Sequence, residues 1–278
     1  MIRIVTDSAS DITIKEAKSL NIDIVPLTIT FDDEICPQNT LEDFDTFFNK
    51  LKTTSILPVT SQPSPELYLN VFNEAKSKEE DVLVITLSSG LSGTLNSALL
   101  AKKMSNYEKI YILDSKQAIL TQRMLVEYAV KLRDENKSID EIAKTLENLK
   151  DKLVVCGVLD TLKYLKMSGR IPSSLAFVGE LLNIKPVVIL KDSVLKELGK
   201  SRGTKSGINL MYKQFEESEI NFDFPVNFGY TLDKDKGLEF MNETISKYNL
   251  KNTNLYPIGG VIGTHVGPHC LAIAFARK

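Results

Sequence analysis

The feature that most constrains this fold is the alternation of short apolar runs with amphipathic helical stretches over the first 155 residues. The run 81–87 is nearly all apolar and β-branched, which is typical of a strand buried on both faces. Similar runs at 2–6 and 109–114 are separated by stretches of helical periodicity. This pattern predicts βαβ units wound on both faces of a mostly parallel sheet. The run 22–30 carries Pro26, which favours the margin of that sheet.

Several helix starts are marked by capping residues. Thr40 followed by Asp43 resembles a capping box, and Ser64–Pro65 supplies an N-cap and a proline at the first helical position. Asp11 is suited to cap a helix that begins near Thr13. We therefore expect helices to start at these positions.

The second half of the chain predicts a different, α+β organisation. After residue 151 we expect strands at 153–159, 185–190, 225–232 and 270–276, a hairpin at 192–193, and helices at 205–217, at 236–248 and after Pro172. The boundary between the two patterns falls near residue 155.

Composition excludes several classes of protein. The chain has 34 Lys and Arg against 36 Asp and Glu, so it lacks the basic excess that non-specific nucleic-acid binding requires. No stretch approaches the roughly 18 apolar residues of a membrane span, and the N-terminus lacks the pattern of a signal peptide. We expect a soluble, cytoplasmic protein. The three cysteines form no CxxC pair, so neither a zinc site nor any other cofactor is predicted.

The two histidines, His265 and His269, both lie in the segment 263–269. Any His-dependent nucleophilic catalysis would have to use this segment. Gly267 and Pro268 separate the histidines and exclude a metal-binding pair on one helix. Each histidine could be a structural hydrogen-bonding residue, but the surrounding glycines favour a site loop for His265.

Hydroxyl-rich loops precede two predicted helices. The segment 88–94 lies where open α/β sheets bind ligands, and the free N–H groups of a helix start favour an anion. It lacks a Walker lysine and a nucleophile elbow, so a small anion such as a carboxylate fits best, with an ordinary glycine-rich turn as the alternative. Thr60 and Ser61 supply further hydroxyls beside another helix start.

Four charged residues mark further candidate positions. Asp7 and Asp11 follow the first strand and could act as general acid or base. Arg170 and Arg202 lie in glycine-bounded turns, where arginines are often positioned for an anion or for a partner's carboxylate.

Taken together, these segments resemble the DegV family of bacterial fatty-acid-binding proteins. The resemblance rests on six motifs in the family's order, at 5–11, 60–63, 89–94, 169–171, 199–203 and 263–268. It implies an α/β fold of two domains, a doubly wound α/β/α domain over residues 1–155 with a mostly parallel sheet and a smaller two-layer α/β domain over 156–278. One long-chain fatty acid would lie in an apolar tunnel between them.

The resemblance also implies a function without chemistry of the chain's own. Family members are the fatty-acid-carrying subunits of bacterial fatty acid kinase. They present the carboxylate to a separate ATP-binding kinase subunit and then carry the acyl phosphate for lipid synthesis. The chain itself would bind no ATP and would not be an enzyme. Peripheral membrane contact during ligand exchange is compatible with this function.

Residue by residue, the resemblance assigns a site. Thr60 and Ser92, with their neighbours Ser61 and Gly93, would bind the carboxylate, and His265 would complete this polar end. Arg170 would support the network near the entrance, and Arg202 would face the kinase subunit. The alkyl chain, roughly C14 to C18, would supply most of the affinity. Apolar spacing alone suggests four wall residues, Phe177, Leu181, Ile262 and Phe275.

Two other functions remain open from the sequence. One is a substrate-binding subunit for a small carbonyl compound such as dihydroxyacetone, or a hydrolase, using His265 or His269 as base or covalent anchor. The other is a regulatory or scaffolding domain without a ligand. An apolar tunnel would favour the carrier, whereas a small polar pocket would favour the enzyme.

Overall fold

The computed structural model describes residues 1–54, 56–172 and 184–278. The strands in these ranges are β1 (Ile2–Asp7), β2 (Ile22–Val25), β3 (Thr28–Phe31), β4 (Glu34–Ile35), β5 (Val59–Ser61), β6 (Asp81–Thr86), β7 (Ile110–Asp114), β8 (Leu153–Val158), β9 (Ile184–Lys191), β10 (Val194–Arg202), β11 (Val226–Tyr230), β12 (Thr253–Pro257) and β13 (Leu271–Ala276). The helices are α1 (Ile14–Leu20), α2 (Leu41–Thr53), α3 (Pro65–Ser77), α4 (Thr94–Ser105), α5 (Ile119–Asp134), α6 (Ile139–Lys150), α7 (Lys163–Met167), α8 (Thr204–Glu216), α9 (Lys234–Tyr248) and α10 (Gly260–Val266).

The first sheet is parallel and has the order β2-β1-β6-β7. Alternate residues of β6 enter two different cores, because successive side chains of a strand point to opposite faces. Val82 and Val84 pack with α3 and α4, whereas Leu83 and Ile85 pack with α5 and α6. The predicted doubly wound arrangement is confirmed, with β2 at the margin as expected.

The second sheet is mixed and has the order β10-β9-β8-β13-β11-β12. Only β11 and β12 pair in parallel, and α8 and α9 contact one face of the sheet. The predicted hairpin forms between β9 and β10, with Asp192 and Ser193 in the left-handed conformation. Residue 155 lies inside β8, which belongs wholly to this sheet, so the change of sheet comes before Leu153. The division into two domains stays a prediction.

A third, small antiparallel sheet has the order β4-β3-β5. The predicted single strand over 22–30 is wrong in its second part, since the chain leaves the first sheet around Pro26 and β3 joins this small sheet instead. Proline has no N–H to continue a ladder, which explains the break. Thr60 and Ser61, expected in a loop, lie on β5, where Thr60 pairs with Ile29.

The capping predictions are confirmed in part. Thr40 and Asp43 form a capping box at the start of α2, and Pro65 is the first residue of α3, although Ser64 makes no side-chain cap. The prediction for Asp11 is wrong, because Thr13 caps α1 together with Glu16. The helix expected after Pro172 lies outside the described residues.

The elements that were not predicted include β4, β5, α7, β12 and α10. The segment around His265, expected to be a loop, is the short helix α10. Along the described parts of the chain, no helix combines the length and the apolar composition that a bilayer crossing requires.

Candidate functional site

A cavity of about 360 Å³ lies between the first and second sheets. Its walls come from the loops that follow β6 and β7, from the inner face of the second sheet and from α10. Most of the lining is aliphatic, as in Leu87, Val155, Val188, Leu190, Ile258 and Val261. The carboxyl edge of a parallel sheet is where doubly wound folds bind ligands, and this cavity opens there.

The part of the wall formed by the second sheet carries small residues. Gly157 of β8 pairs in register with Ala272 of β13 on one side and with Val188 of β9 on the other. A Cβ at Gly157 would lie 3.2 Å from the Leu271 carbonyl oxygen. Gly157 and Ala272 both line the cavity, and their small size gives an apolar ligand room above the sheet.

One end of the cavity is polar. The Thr60 hydroxyl on β5 lies 3.1 Å from His265 Nε2 on α10, although the two residues are 205 positions apart. Ser61, Gln62, Ser92 and Gly93 line the same cavity. These groups come from three chain segments, which the sequence analysis treated as separate loops.

The histidine at this end is neutral at physiological pH. Burial, together with the smaller effect of the positive charge of Arg170, lowers the pKa of His265 to about 4. The ring atom Nδ1 is buried and has no hydrogen-bond partner in the described structure. A neutral imidazole can donate through one nitrogen and accept through the other.

Ser92 is held by the start of α4. Its hydroxyl lies 2.9 Å from the hydroxyl of Thr94, which is fully buried. Gly93 precedes the helix, and a Cβ there would overlap the amide of Gln62, whose Nε2 donates to Ser97 Oγ at 2.9 Å. A side chain at Gly93 would displace this amide from Ser97. Gln62 is a lining residue that the sequence analysis missed.

The same loop contacts the hairpin of the second sheet. Ser88 Oγ donates to the Ser193 carbonyl oxygen at 2.7 Å, and a Cβ at Gly90 would overlap that carbonyl. Leu91 and Leu195 line the cavity beside this contact. The contact closes one side of the cavity with residues from both sheets.

The two arginines of the predicted site have different positions. Arg170 lines the cavity, is exposed, and donates to the Ser168 carbonyl oxygen at 2.6 Å. With Thr60 and His265 it also lines an adjoining hollow of about 290 Å³. Arg202 is exposed at the end of β10 and does not line the cavity.

The four residues predicted to form the tunnel wall differ in where they lie. Ile262 lines the cavity. Phe275 does not, because its side chain points to the opposite face of the sheet and packs on Phe215. Phe177 and Leu181 lie outside the described residues.

Asp7, at the end of β1, and Asp11, shortly after it, bind backbone N–H groups and do not line the cavity. Asp7 accepts from Leu87 N at 2.6 Å, and Asp11 accepts from Gly259 N at 3.0 Å. Burial raises the pKa of Asp7 to about 6 and that of Asp11 to about 8. Through Gly259, Asp11 fixes the start of the helix that carries His265.

His269 does not line the cavity, and its backbone N–H donates to the Thr231 carbonyl oxygen at 3.2 Å. Within the described ranges, no group of three or more His, Cys, Asp or Glu side chains has the arrangement of a metal site.

Comparison with known proteins places this chain among proteins of one family. A family model for an uncharacterised protein of the DegV family matches residues 1–278. A DegV domain-containing protein of Clostridium perfringens is 34% identical over 280 residues, which cover 98% of this chain and 96% of that protein.

Solved structures agree in fold over the whole chain. A DegV family protein from Thermus thermophilus, described by its fatty acid binding, has a TM-score of 0.87 at 31% identity and covers 99% of both chains. A stearic-acid-binding protein from Eubacterium ventriosum has the same TM-score at 28% identity, covering 100% of this chain and 99% of its own. The predicted α/β class, with a mostly parallel sheet and a separate second sheet, is confirmed.

Proposed function

This chain belongs to the DegV family, and on that premise we propose that it binds one long-chain fatty acid in the cavity and presents the carboxylate to a separate ATP-dependent kinase subunit. The observation that carries the proposal is the division of the cavity into an aliphatic wall and one polar end. Two relatives of the same fold are fatty-acid binders by name. An aliphatic wall disfavours a small polar carbonyl substrate.

The alkyl chain supplies the affinity. Each buried CH₂ group contributes roughly 0.8 kcal/mol, so a long acyl chain outweighs any single polar contact. The aliphatic residues of the second sheet, of the segments that follow β6 and β7 and of α10 would surround it, and the small Gly157 and Ala272 leave room along the second sheet.

The polar end offsets the desolvation of the carboxylate. A carboxylate that leaves water without hydrogen bonds loses several kcal/mol or more. In the Nε2–H tautomer, His265 donates to Thr60 Oγ1 and leaves the Thr60 hydroxyl hydrogen free for the ligand. Thr94 can donate to Ser92 in the same way. The hydroxyls of Thr60 and Ser92 would then each accept one hydrogen bond from a neighbour and donate one to the carboxylate. Ser61 and Gly93 lie beside them.

The adjoining hollow gives the carboxylate a route to a partner. Thr60, Arg170 and His265 line both the cavity and the hollow, so a kinase subunit docked there would reach the carboxylate oxygen. That subunit would transfer the terminal phosphoryl group of ATP to the oxygen, giving ADP and an acyl phosphate. This chain then carries the acyl phosphate to lipid synthesis. Arg202, which is exposed, would face the kinase subunit. The protein would be cytoplasmic and would contact the membrane surface only while it exchanges its fatty acid.

Mass spectrometry of an organic extract tests ligand binding directly. We expect about one fatty acid of roughly C14 to C18 per purified chain, since a site of this affinity retains its ligand. An empty extract, with no thermal stabilisation by oleate or palmitate, would overturn the proposal and favour a small polar ligand.

The Ser92→Ala variant tests the carboxylate contact. Loss of one hydrogen bond to a charged group costs about 1.5 to 3 kcal/mol, so affinity should fall roughly tenfold to more than a hundredfold and kinase-dependent phosphorylation should be lost. Ser89→Ala is the matched control, because Ser89 lies on the same loop, is exposed and does not line the cavity. Full turnover by a folded Ser92→Ala protein would contradict the site.

A further inference from the structure

Ile119 combines two unusual properties. It lines the cavity, and its backbone φ of 45° lies in the left-handed region. A β-branched residue rarely adopts this conformation, because its Cβ then crowds the neighbouring carbonyl oxygen. Such strain persists only where the surrounding structure imposes it, and it concentrates at functional sites.

The segment before Ile119 is fixed by Gln117, which is 5% exposed. The Gln117 N–H donates to Ser115 Oγ at 3.0 Å, and its carbonyl oxygen accepts from Ser88 N at 2.8 Å. Its side-chain amide donates to the Lys150 carbonyl oxygen at 2.8 Å. These bonds tie the start of α5 to the loop that leads to Ser92.

The segment after Ile119 is fixed by Gln122, which is fully buried. Its side-chain amide donates to Asp7 Oδ1 at 3.1 Å and to Thr6 Oγ1 at 3.2 Å. Ala118 and Ile119 must therefore connect two anchored positions within one helical turn, which accounts for the left-handed backbone.

Glycine would satisfy this backbone without strain, since it lacks a Cβ. The chain instead keeps a branched, four-carbon side chain at a position where the backbone disfavours it and where that side chain forms part of the cavity wall. Isoleucine therefore occupies this position because of the part that its side chain plays in the cavity wall.

We propose that Ile119 is a specificity-determining residue, which narrows the cavity and selects straight acyl chains over bent ones. The inference rests on the proposed function, fatty acid binding. A cis double bond bends an acyl chain and requires lateral room, and a branched wall residue removes that room. In an apolar pocket, a difference of one methylene changes discrimination by roughly tenfold or more.

Competition between two acids of equal length tests the inference. The protein is loaded from an equimolar mixture of stearic and oleic acid, and the bound ratio is measured by mass spectrometry. We expect Ile119→Ala and Ile119→Gly to shift the ratio toward oleic acid by roughly tenfold. Ile142→Ala is the matched control, because Ile142 is fully buried in the same core but does not line the cavity.

A ligand-free measurement tests the strain separately. Ile119→Gly should melt at a higher temperature than Ile119→Ala, because only glycine tolerates the left-handed backbone freely. Ile142 lies inside α6, so Ile142→Gly should melt at a lower temperature than Ile142→Ala.

The outcomes distinguish this inference from the proposed function. A wild-type protein that retains neither acid would refute both. A loaded wild-type protein whose bound ratio stays within twofold in both Ile119 variants would refute the role of Ile119 alone. The usual order, with Ile119→Gly melting below Ile119→Ala, would refute the strain argument.

Discussion

The two faces of the second sheet are built from the same strands and differ in what covers them. On the outer face, Phe275 packs edge-on against Phe215 with ring centroids 5.0 Å apart, and Phe228 packs on Phe240 at 5.3 Å. These aromatic contacts join β11 and β13 to α8 and α9. On the inner face, Gly157 of β8 and Ala272 of β13 are small, and the cavity lies above them.

Both faces are apolar, so polarity does not distinguish them. The strand β13 reads Leu-Ala-Ile-Ala-Phe-Ala, and its large residues all enter the outer core while its alanines face inward. Protein interiors are normally packed to the density of organic crystals. A face of small residues leaves space that the neighbouring elements do not fill, and that space is available to a ligand.

Truncating a large residue of the outer face should have the largest effect. Phe275→Ala removes a fully buried ring, so the free energy of unfolding should fall by about 3 to 5 kcal/mol. Fatty acid affinity of the molecules that remain folded should be unchanged. Urea denaturation with and without added palmitate measures both quantities. A selective loss of affinity would mean that the two faces are not independent.

Enlarging a small residue of the inner face should act mainly on the ligand. Ala272→Leu fills the cavity, so affinity for palmitate should fall by about 2 kcal/mol, roughly thirtyfold, while the free energy of unfolding changes little. Titration calorimetry measures the affinity.

Ala274→Leu is the matched control for that substitution. Ala274 lies on the same face of the same strand but is fully buried and does not line the cavity. Overpacking there should lower the free energy of unfolding by about 1 to 3 kcal/mol. Equal destabilisation by both leucines would contradict the distinction between cavity and packed core.

The smallest predicted effect is a pH dependence of stability that comes from Asp11, which holds the start of α10. Burial raises the pKa of Asp11 from 3.8 to about 8, although the charge of Arg123 opposes the shift and Glu16 and Asp7 add to it. The folded protein therefore binds the proton more tightly than the unfolded chain. Stability is greatest below the unfolded value and is lost as the pH rises through 8, by about 1 kcal/mol between pH 7 and 8.

Urea denaturation at several pH values measures this slope. Asp11→Asn should remove it, because the amide keeps an oxygen for the Gly259 N–H and does not titrate. Asp7→Asn is the control, since the pKa of Asp7 is about 6 and its contribution changes at lower pH. A slope that persists in Asp11→Asn would assign the titration to another group.

Local patterns were sufficient to predict much of the fold. The apolar runs of β1, β6 and β7 and the capping box of Thr40 with Asp43 depend on neighbouring residues only. The helix α10 could not be predicted in this way, because it is rich in glycine and is held by tertiary contacts. Asp11 and Gln38 accept from its first N–H groups, and a Cβ at Gly263 would lie 2.5 Å from Phe48.

The candidate site likewise has a part that local sequence patterns predict and a part that depends on tertiary contacts. Ser92 and His265 could be singled out because they lie beside glycines, and Thr60 because it lies shortly before a predicted helix start. The structure brings all three to one cavity. Their role as ligands stays a prediction. The strained backbone of Ile119 arises from two anchors elsewhere in the fold, and the inward face of β13 was ambiguous because all six residues are apolar.

The cavity wall is assembled from segments as distant as Leu27, in the link between β2 and β3, and Ala272, on β13 of the second sheet. A bound acyl chain would touch both halves at once and act as an internal tie between them. A ligand that binds only the native state stabilises it in proportion to the logarithm of the ligand concentration, so loading would raise the midpoint of unfolding. Because the acyl chain would contact both halves, loading would also raise the cooperativity of unfolding. In this molecule the lipid would thus replace part of the hydrophobic core that the sequence leaves unfilled.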